Sequence, residues 1–452
     1  MTQQRLVVIG GDAAGMSAAS KVRREDPKRE IVVFERSPHT SYSACGMPYF
    51  IAGLVDGPEK LVARSPEKFR DKYNIDARTG HEVTELDLGN QRVRVRSLAD
   101  SSEAWEAYDQ LLIATGAEAI FPKLPNSDSD GIFGLSTLAS GIRVQQFMDQ
   151  QLPRRAVVVG GGYIGLEMAE ALVRQGLQVA LVERGEQVMG TLDPDMGALV
   201  SDALREIGVE LYLNESLTGY EAANGLVTAV VTDQRTLPAD LVIVGLGTRP
   251  NSSLAAAAGI TLGEKGSIRV NPRMQTSAPN VWAAGDCAES FHLVSRKPFH
   301  VALGTVANKQ GSVAGINLAG GYATFPGVVG TAVSKICKYE VARTGLMERE
   351  INGLGLKYKT ATTKSKTRAG YYPGAGWITV KLLAEQGTGR LLGGQIVGQE
   401  GAAKRIDVLA TALTAGMTVQ QIVDLDLSYA PPFSPVWDPV QTAARQLLGS
   451  SD

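Results

Sequence analysis

The chain has 452 residues, with 45 Lys and Arg against 47 Asp and Glu, a formal net charge of −2, 44% hydrophobic and 20% charged residues. That length gives a prior of about three domains, and the composition is that of a globular protein. A balance this close to neutral excludes a nucleic-acid or anionic-membrane binder that works through bulk charge. Aromatic residues at 6% suggest no stacking platform for bases.

Three cysteines (Cys45, Cys287 and Cys337) are too few for a disulfide framework, and none sits in a C-x-x-C pair that would suggest a thiolate zinc site. A reducing compartment and no metal are expected. The N-terminus runs through residues 6–9 (LVVI) into Gly10 and Gly11, which reads as a strand entering a turn and not as a signal segment. No stretch approaches the ~20 apolar residues of a spanning helix. A cytoplasmic protein with neither membrane nor nucleic acid as partner is expected.

The first elements repeat later in the chain. Residues 5–15 read RLVVIGGDAAG and residues 155–165 read RAVVVGGGYIG. Each is an apolar strand, a glycine-rich turn and the start of a helix, expected over 16–24 and 166–175. Each is followed by an apolar run that ends in an acid, Glu35 and Glu183. Glycines let a backbone turn approach a pyrophosphate, a helix N-terminus favours the anion, and an acid at the end of the second strand can accept hydrogen bonds from a ribose diol. The second copy is complete (Gly160, Gly162, Gly165). The first keeps Gly10 and Gly15 but has Asp12 at the middle position, with Ala14 inside the turn and Arg36 after the acid. Either turn alone could be an idle turn in a doubly wound sheet; two together point to two dinucleotides. The natural pair is FAD with NADH or NADPH, because hydride passes from one to the other.

Residues 111–116 (LLIATG, with Ala114, Thr115 and Gly116) form a strand ending at a glycine turn, and residues 241–247 (LVIVGLG, with Gly247) echo it. Residues 276–286 (TSAPNVWAAGD) resemble the second FAD signature of the pyridine nucleotide-disulfide oxidoreductases. That resemblance implies that Asp286, beside Gly285, binds the ribityl chain and that the following helix points at the flavin. The plain alternative for Asp286 is a helix N-cap. The expected fold class is α/β: two Rossmann-like dinucleotide-binding domains, for FAD (1–117 and 248–325) and for NAD(P) (118–247), plus an α+β C-terminal dimerisation domain (326–452). The polar residues 125–130 are expected to cross the surface.

Cys45 lies about ten residues beyond Glu35, in SYSACGMPYF (41–50). A helix starting near Gly46 would favour a thiolate there; otherwise Cys45 is a buried structural residue. Cys287 and Cys337 lack such a setting and read as structural. Phe50 stands where a C-x4-C pair would place a second cysteine. The two-electron store is therefore Cys45 with the flavin plus an exchangeable group, either a mixed disulfide with a small thiol or a sulfenic acid.

Taken together, IGGDAAGMSAASKVRR, SYSACGMPYFIAG, GGGYIGLEMAE, SAPNVWAAGDCAE, GTVANKQGSVAG, RAGYYPGA and DLDLSYAPPFSPVWDP resemble the coenzyme A disulfide reductases, the single-cysteine branch of that oxidoreductase family, over essentially the whole chain. The resemblance implies that Cys45 forms a mixed disulfide with coenzyme A and that the enzyme is a homodimer whose C-terminal domain completes the partner's site. It also implies two tyrosines near the thiol, Tyr429 and one of Tyr371 and Tyr372, each able to donate a proton to a leaving thiolate. Without the resemblance these tyrosines read as core or interface residues. Substrate contacts are implied at Ser17, Lys21 and Arg24, one helix face, at Ser41 and Ala44, and at Asn308. Lys72 belongs to a second basic run with Arg64 and Lys68, spaced i, i+4, i+8. A solvated helix face remains open for each of these cations. Glu183 disfavours a 2′-phosphate and so favours NADH, whereas Arg184 tolerates NADPH. Tyr163, Ile164 and Glu167 stand where the family's NAD domain meets the flavin; Tyr163 either gates the nicotinamide or simply packs.

The rival readings are an NADH oxidase or peroxidase that uses a Cys45 sulfenic acid, and a coenzyme A persulfide or polysulfide reductase. The oxidase relatives have a His in the first glycine turn, where this chain has Ala13 and Ala14; its four histidines (39, 81, 292 and 300) lie elsewhere. Some persulfide-handling relatives carry a fused rhodanese domain, which is not expected in a chain ending at 452. A redox sensor whose output is binding is a further class, for which no partner motif is evident.

Overall fold

The computed structural model describes residues 4–449. The strand Arg5–Ile9 is the centre of a five-stranded parallel sheet in the order Val281–Ala283, Gln110–Ile113, Arg5–Ile9, Glu30–Glu35, Asp76–Thr79. Its strands are continuous apolar runs because helices and loops cover both faces; Leu6, Val7, Val8, Leu111, Leu112 and Ile113 are fully buried. A second parallel sheet repeats the plan, in the order Glu210–Leu213, Gln178–Glu183, Arg155–Val159, Leu241–Val244, Ile132–Gly134. An antiparallel ribbon of Ala117–Ala119 with Thr248–Pro250 carries the chain out of the first sheet and back. Residues 125–130 run along the surface beside the second sheet, where the Asn126 side chain donates to the Tyr220 carbonyl.

The helices after the two turns are Ala13–Glu25 and Tyr163–Arg174, so each begins three residues before the expected start. The reason is that Gly15 and Gly165 lie inside the first helical turn, packed on the turn glycines. A Cβ on Gly15 would stand 2.0 Å from the Gly10 carbonyl oxygen, and one on Gly165 would stand 1.9 Å from that of Gly160. Helix Ala13–Glu25 crosses helix Gly304–Leu318 closely, because Gly311 and Gly315 leave room for the carbonyls of Ala14 and Ala18.

The C-terminal third is a five-stranded antiparallel sheet in the order Ala332–Ile336, Tyr339–Gly345, Leu391–Gly398, Trp377–Glu385, Tyr358–Lys366. Helices Ile406–Ala415 and Pro439–Gly449 cover it and share its apolar core with Leu382, Leu392 and Ile396. The α+β expectation for this part matches the observed topology. Among the described residues no helix is long and apolar enough to cross a membrane, and no group of three or more His, Cys, Asp or Glu is placed to hold a metal ion.

The packing at the turns separates two neighbouring glycines. Gly165→Ala forces a Cβ against a backbone carbonyl and is expected to cost about 1–3 kcal/mol, seen as a lowered melting temperature. Gly162→Ala, whose Cβ meets nothing within 4 Å, leaves the melting temperature unchanged.

Candidate functional site

The two glycine turns close in the same way. Gly10 and Gly160 have φ of +105° and +104°, a region L side chains rarely adopt. A Cβ on either would collide with a neighbouring strand's carbonyl, that of Ala114 at 2.1 Å or of Gly245 at 2.4 Å. Both predicted acids reach their turns. The Glu35 carboxylate accepts from Gly11 N–H and Ser37 N–H at 2.8 Å each, and that of Glu183 accepts from Gly161 N–H at 2.7 Å and Gly185 N–H at 2.8 Å. Sequence reasoning assigned these acids to ribose; in the folded chain their carboxylates hold the turn to the second strand. Arg36 and Arg184 follow them and are exposed. Gly116 and Gly247, both at positive φ, flank the connecting ribbon.

Asp12 stands at the N-cap of helix Ala13–Glu25, yet its side chain makes no cap. Its carboxylate accepts instead from Tyr42 N–H at 3.1 Å, while Ser41 N–H donates to the Gly11 carbonyl at 2.9 Å. These two bonds staple the cysteine segment to the first turn, with Ser41 at φ +48° and Ala44 opening the short turn that contains Cys45. Burial pushes the Asp12 carboxyl up to about 7, with the charges of Glu35 and Asp286 adding to the effect.

Asp286 and Gly285 follow the strand Val281–Ala283, but no helix follows them directly. This corrects both the following-helix expectation and the N-cap alternative; the next helix is Gly304–Leu318. Burial pushes the Asp286 carboxyl up to about 6 against the opposing Leu303 N–H, and its Oδ1 is buried without a partner. Gln310 of that helix accepts from Gly285 N–H at 2.8 Å and so sets the loop.

Cys45 is exposed at the residue level and is followed by the helix Met47–Ile51. The expected thiolate-favouring field is not what the thiol meets. Burial pushes the thiol up, and the charges of Glu167, Asp286 and Asp12 add to it. A five-residue helix has too small a dipole to offset three carboxylates. Cys287 is fully buried, its thiol donating to the carbonyls of Ile113 and Ala284. Cys337 sits at a hairpin turn, its thiol pushed up to about 11 by burial and by Glu170. Both settings agree with a structural role.

Helix Tyr163–Arg174 brings Glu167 beside Cys45 and Tyr49, as the mutual charge effects on these groups record. The Ser334 hydroxyl, from the C-terminal sheet, donates to Glu167 Oε1 at 3.0 Å, and Cys337 N–H donates to Glu170 Oε2 at 2.7 Å. Burial raises the Glu167 carboxyl, and Glu170 adds to this. Sequence reasoning found Glu167 but missed Glu170 and Ser334. The i, i+3 spacing of the two acids was a readable signal; Ser334, 167 residues away, left none. Tyr163 and Ile164 open the helix and pack on the apolar core beneath it, and the Tyr163 hydroxyl is buried without a hydrogen-bond partner, which favours the packing alternative.

Of the predicted substrate residues, Ser17 and Asn308 meet, hydroxyl to Oδ1, at 2.7 Å where the two helices cross. Lys21 pairs with Glu25 at 2.7 Å, and Arg24 is exposed on the same helix. The second basic run is not one helix face: Arg64 precedes the helix Pro66–Tyr73, which Ser65 caps. Arg64 and Lys72 instead lie over the Tyr73 ring, 5.3 and 5.9 Å from its centroid. Desolvation and the neighbouring Tyr371 phenol raise the Tyr429 hydroxyl, an effect in which Tyr372 has no part. Tyr371 is 79% exposed, and Phe433 at 75% and Val436 at 70% are likewise exposed. Among the described residues these tyrosines share no hydrogen bond with the Cys45 segment of their own chain.

The raised Asp12 carboxyl has a consequence for stability. A folded value near 7 against an ordinary 3.8 means that the folded polypeptide binds the proton more tightly, so this group's contribution is present below about pH 4 and is lost as pH rises through 7. In flavin-free protein, Asp12→Asn is expected to flatten the fall in melting temperature between pH 4 and 7 and to raise it at pH 8.

A family model described as pyridine nucleotide-disulphide oxidoreductase matches residues 4–311, and the dimerisation domain of the same family matches residues 331–439. The chain is 41% identical to an NAD(P)H coenzyme A polysulfide/persulfide reductase of Pyrococcus horikoshii, over 98% of each chain. It is 33% identical to a coenzyme A disulfide reductase of Staphylococcus haemolyticus, over 95% of this chain and 96% of that one. The crystal structure of reduced CoADR-RHD from Bacillus anthracis superposes with a TM-score of 0.96 at 34% identity, over 99% of this chain and 80% of that chain. Matched over both of its parts, the chain belongs to the pyridine nucleotide-disulphide oxidoreductase family.

Proposed function

We propose that this protein is an FAD-dependent NAD(P)H oxidoreductase that reduces coenzyme A disulfide through Cys45. The observation that carries the reading is the stapling of Cys45 to the first glycine turn, with the other two cysteines committed to structure. The residues around that turn fit a flavin dinucleotide: a glycine cradle that a Cβ would fill, and a buried Asp286 oxygen lacking a partner. FAD, when bound, supplies the two-electron link between pyridine nucleotide and thiol. In this reading, residues 1–117 with 248–325 hold FAD, 118–247 hold NAD(P)H through the second turn and Glu183, and 326–452 form the dimer contact.

The chain's own chemistry follows. The Cys45 thiolate attacks one sulfur of coenzyme A disulfide; a Cys45–coenzyme A disulfide forms and one coenzyme A thiolate leaves. Two electrons from NAD(P)H cleave that mixed disulfide, returning the Cys45 thiolate and a second coenzyme A thiolate, and the leaving thiolates take up protons. The phenols of Tyr371 and Tyr429, reaching across a homodimer, donate to the leaving thiolate. Their exposure and the match to a dimerisation domain support that placement. Ser17 and Asn308 orient the substrate where the helices cross, and Lys21, Arg24 and Lys72 face its phosphates. Glu167, held by Ser334, lies near the thiol with its carboxyl raised by burial. A second reading, reduction of coenzyme A persulfide, is favoured by the name of the 41% identical relative.

Anaerobic NADH oxidation by the purified protein distinguishes the acceptors: rapid turnover with coenzyme A disulfide and little with glutathione disulfide is expected, and turnover with coenzyme A persulfide alone would select the second reading. Cys45→Ser is expected to abolish disulfide reduction while flavin stays bound and is still bleached by NADH. Tyr429→Phe is expected to lower kcat about a hundredfold with an unchanged melting temperature; an undiminished kcat would remove the phenol from the mechanism.

A further inference from the structure

An ion cluster joins the C-terminal sheet to the second nucleotide sheet. Lys381, on the strand Trp377–Glu385, has a side chain only 4% exposed. Its ammonium lies 2.7 Å from Asp195, 2.8 Å from Glu348 and 3.3 Å from Asp193. Asp193 stands at the N-cap position of the helix Pro194–Glu206, without a side-chain capping bond, and that helix also carries Asp195. The Asp193 carboxylate accepts from Glu348 N–H at 2.9 Å and from Gln395 Nε2 at 2.6 Å, and Asp193 N–H donates to Gln395 Oε1 at 2.8 Å. Thr362 donates to Asp195, and Arg343 donates to the Thr191 carbonyl. One cation thus faces three carboxylates, of which Asp193 is buried with it while Asp195 and Glu348 reach the surface, and removing it leaves the buried Asp193 charge without its cation.

The chain just before Asp193 lies under the second glycine turn. Gly161 is held on both sides: its N–H by Glu183 at 2.7 Å and its carbonyl by Met189 N–H at 2.7 Å. Val188 packs where a Cβ on Gly161 would lie, 2.9 Å away, and Leu192 N–H donates to the Met189 carbonyl. A displacement of Asp193 is therefore carried through a few residues to the turn. We propose that Lys381 is a positioning residue for NAD(P)H: by anchoring Asp193 to the C-terminal domain it holds the 184–193 segment, and through it the glycine turn, in the shape that binds the nucleotide. The inference rests on the reading of the second turn as the NAD(P)H site. It ties nucleotide affinity to the domain that makes the dimer contact, without any contact between Lys381 and the nucleotide.

The test uses flavin-loaded enzyme and compares Lys381→Met, Lys381→Arg and the uncharged-site variant Gln395→Leu. NAD⁺ dissociation is measured by calorimetry, NADH KM with ferricyanide as an acceptor that does not need Cys45, and coenzyme A disulfide KM separately. Lys381→Met is expected to weaken NAD⁺ binding and raise the NADH KM about tenfold. The ferricyanide kcat, the disulfide KM and the flavin content should stay within about twofold. Lys381→Arg should recover most of the affinity, and Gln395→Leu should shift it in the same direction by less. Unchanged nucleotide affinity in folded Lys381→Met or Gln395→Leu overturns the proposal, as does an equal rise in both KM values with loss of flavin, which would mark a merely structural lysine. If Lys381→Met does not fold, Gln395→Leu decides by the same readouts. Wild-type enzyme that binds neither NAD⁺ nor NADP⁺ would overturn the nucleotide reading itself, whereas normal wild-type binding with unaffected variants overturns the positioning role alone.

Discussion

A carboxylate that grips the backbone of a glycine turn is the interaction on which both nucleotide sheets depend. Glu35 holds Gly11, and Glu183 holds Gly161. Each bond closes the gap between the end of one strand and the turn after its neighbour, one residue past Gly10 or Gly160, where positive φ and carbonyl contact admit only glycine. With the turn fixed, the following helix starts in a set direction, and its N-terminal N–H groups face the cleft. The cysteine segment is bonded to the first turn. The segment leading to the interdomain ion cluster is bonded to the second.

The acids around Cys45 set its chemistry. Asp12, Asp286 and Glu167 come from three separate stretches and all raise the thiol, so the isolated chain favours the neutral form. A mixed disulfide carries no such penalty, because it places no charge on Cys45. Asp12 has a second task, since the carboxylate that replaces the middle glycine is also the acceptor for Tyr42 N–H. A departure from the glycine pattern thus serves as the attachment point of the reactive segment.

The C-terminal sheet acts on the rest of the chain from two sides. Its first hairpin lies over helix Tyr163–Arg174, with Ser334 on Glu167 and Cys337 N–H on Glu170. Its central strands supply Lys381 and Gln395 to the base of helix Pro194–Glu206. The same domain exposes Tyr371, Tyr429, Phe433 and Val436. A monomer gains nothing from leaving such residues in water. A dimer that covers them would take these side chains out of water.

Local pattern was enough to read the strands, the two turns, the acids that reach them and the place of Cys45 beside the first turn. Each is written within about thirty residues as apolar runs, glycine at obligatory positive φ and a carboxylate at a strand end, and a parallel sheet buried on both faces leaves little choice in reading them. The three-residue error at the helix starts arose because Gly15 and Gly165 look like turn residues although they belong to the first helical turn, where their role is to pass close to a carbonyl. What local pattern could not supply were relations between distant segments: Ser334 with Glu167, Lys381 with Asp193, Asp195 and Glu348, the effect of Tyr371 rather than Tyr372 on Tyr429, and the acidic field that outweighs a short helix at Cys45. These are properties of packing in three dimensions, where burial and the sum of charges from separate elements decide the outcome. Residues 5–183 by themselves determined that this chain is built to hold two dinucleotides beside one thiol; only the tertiary structure decided how that thiol is charged and what holds the second turn in place.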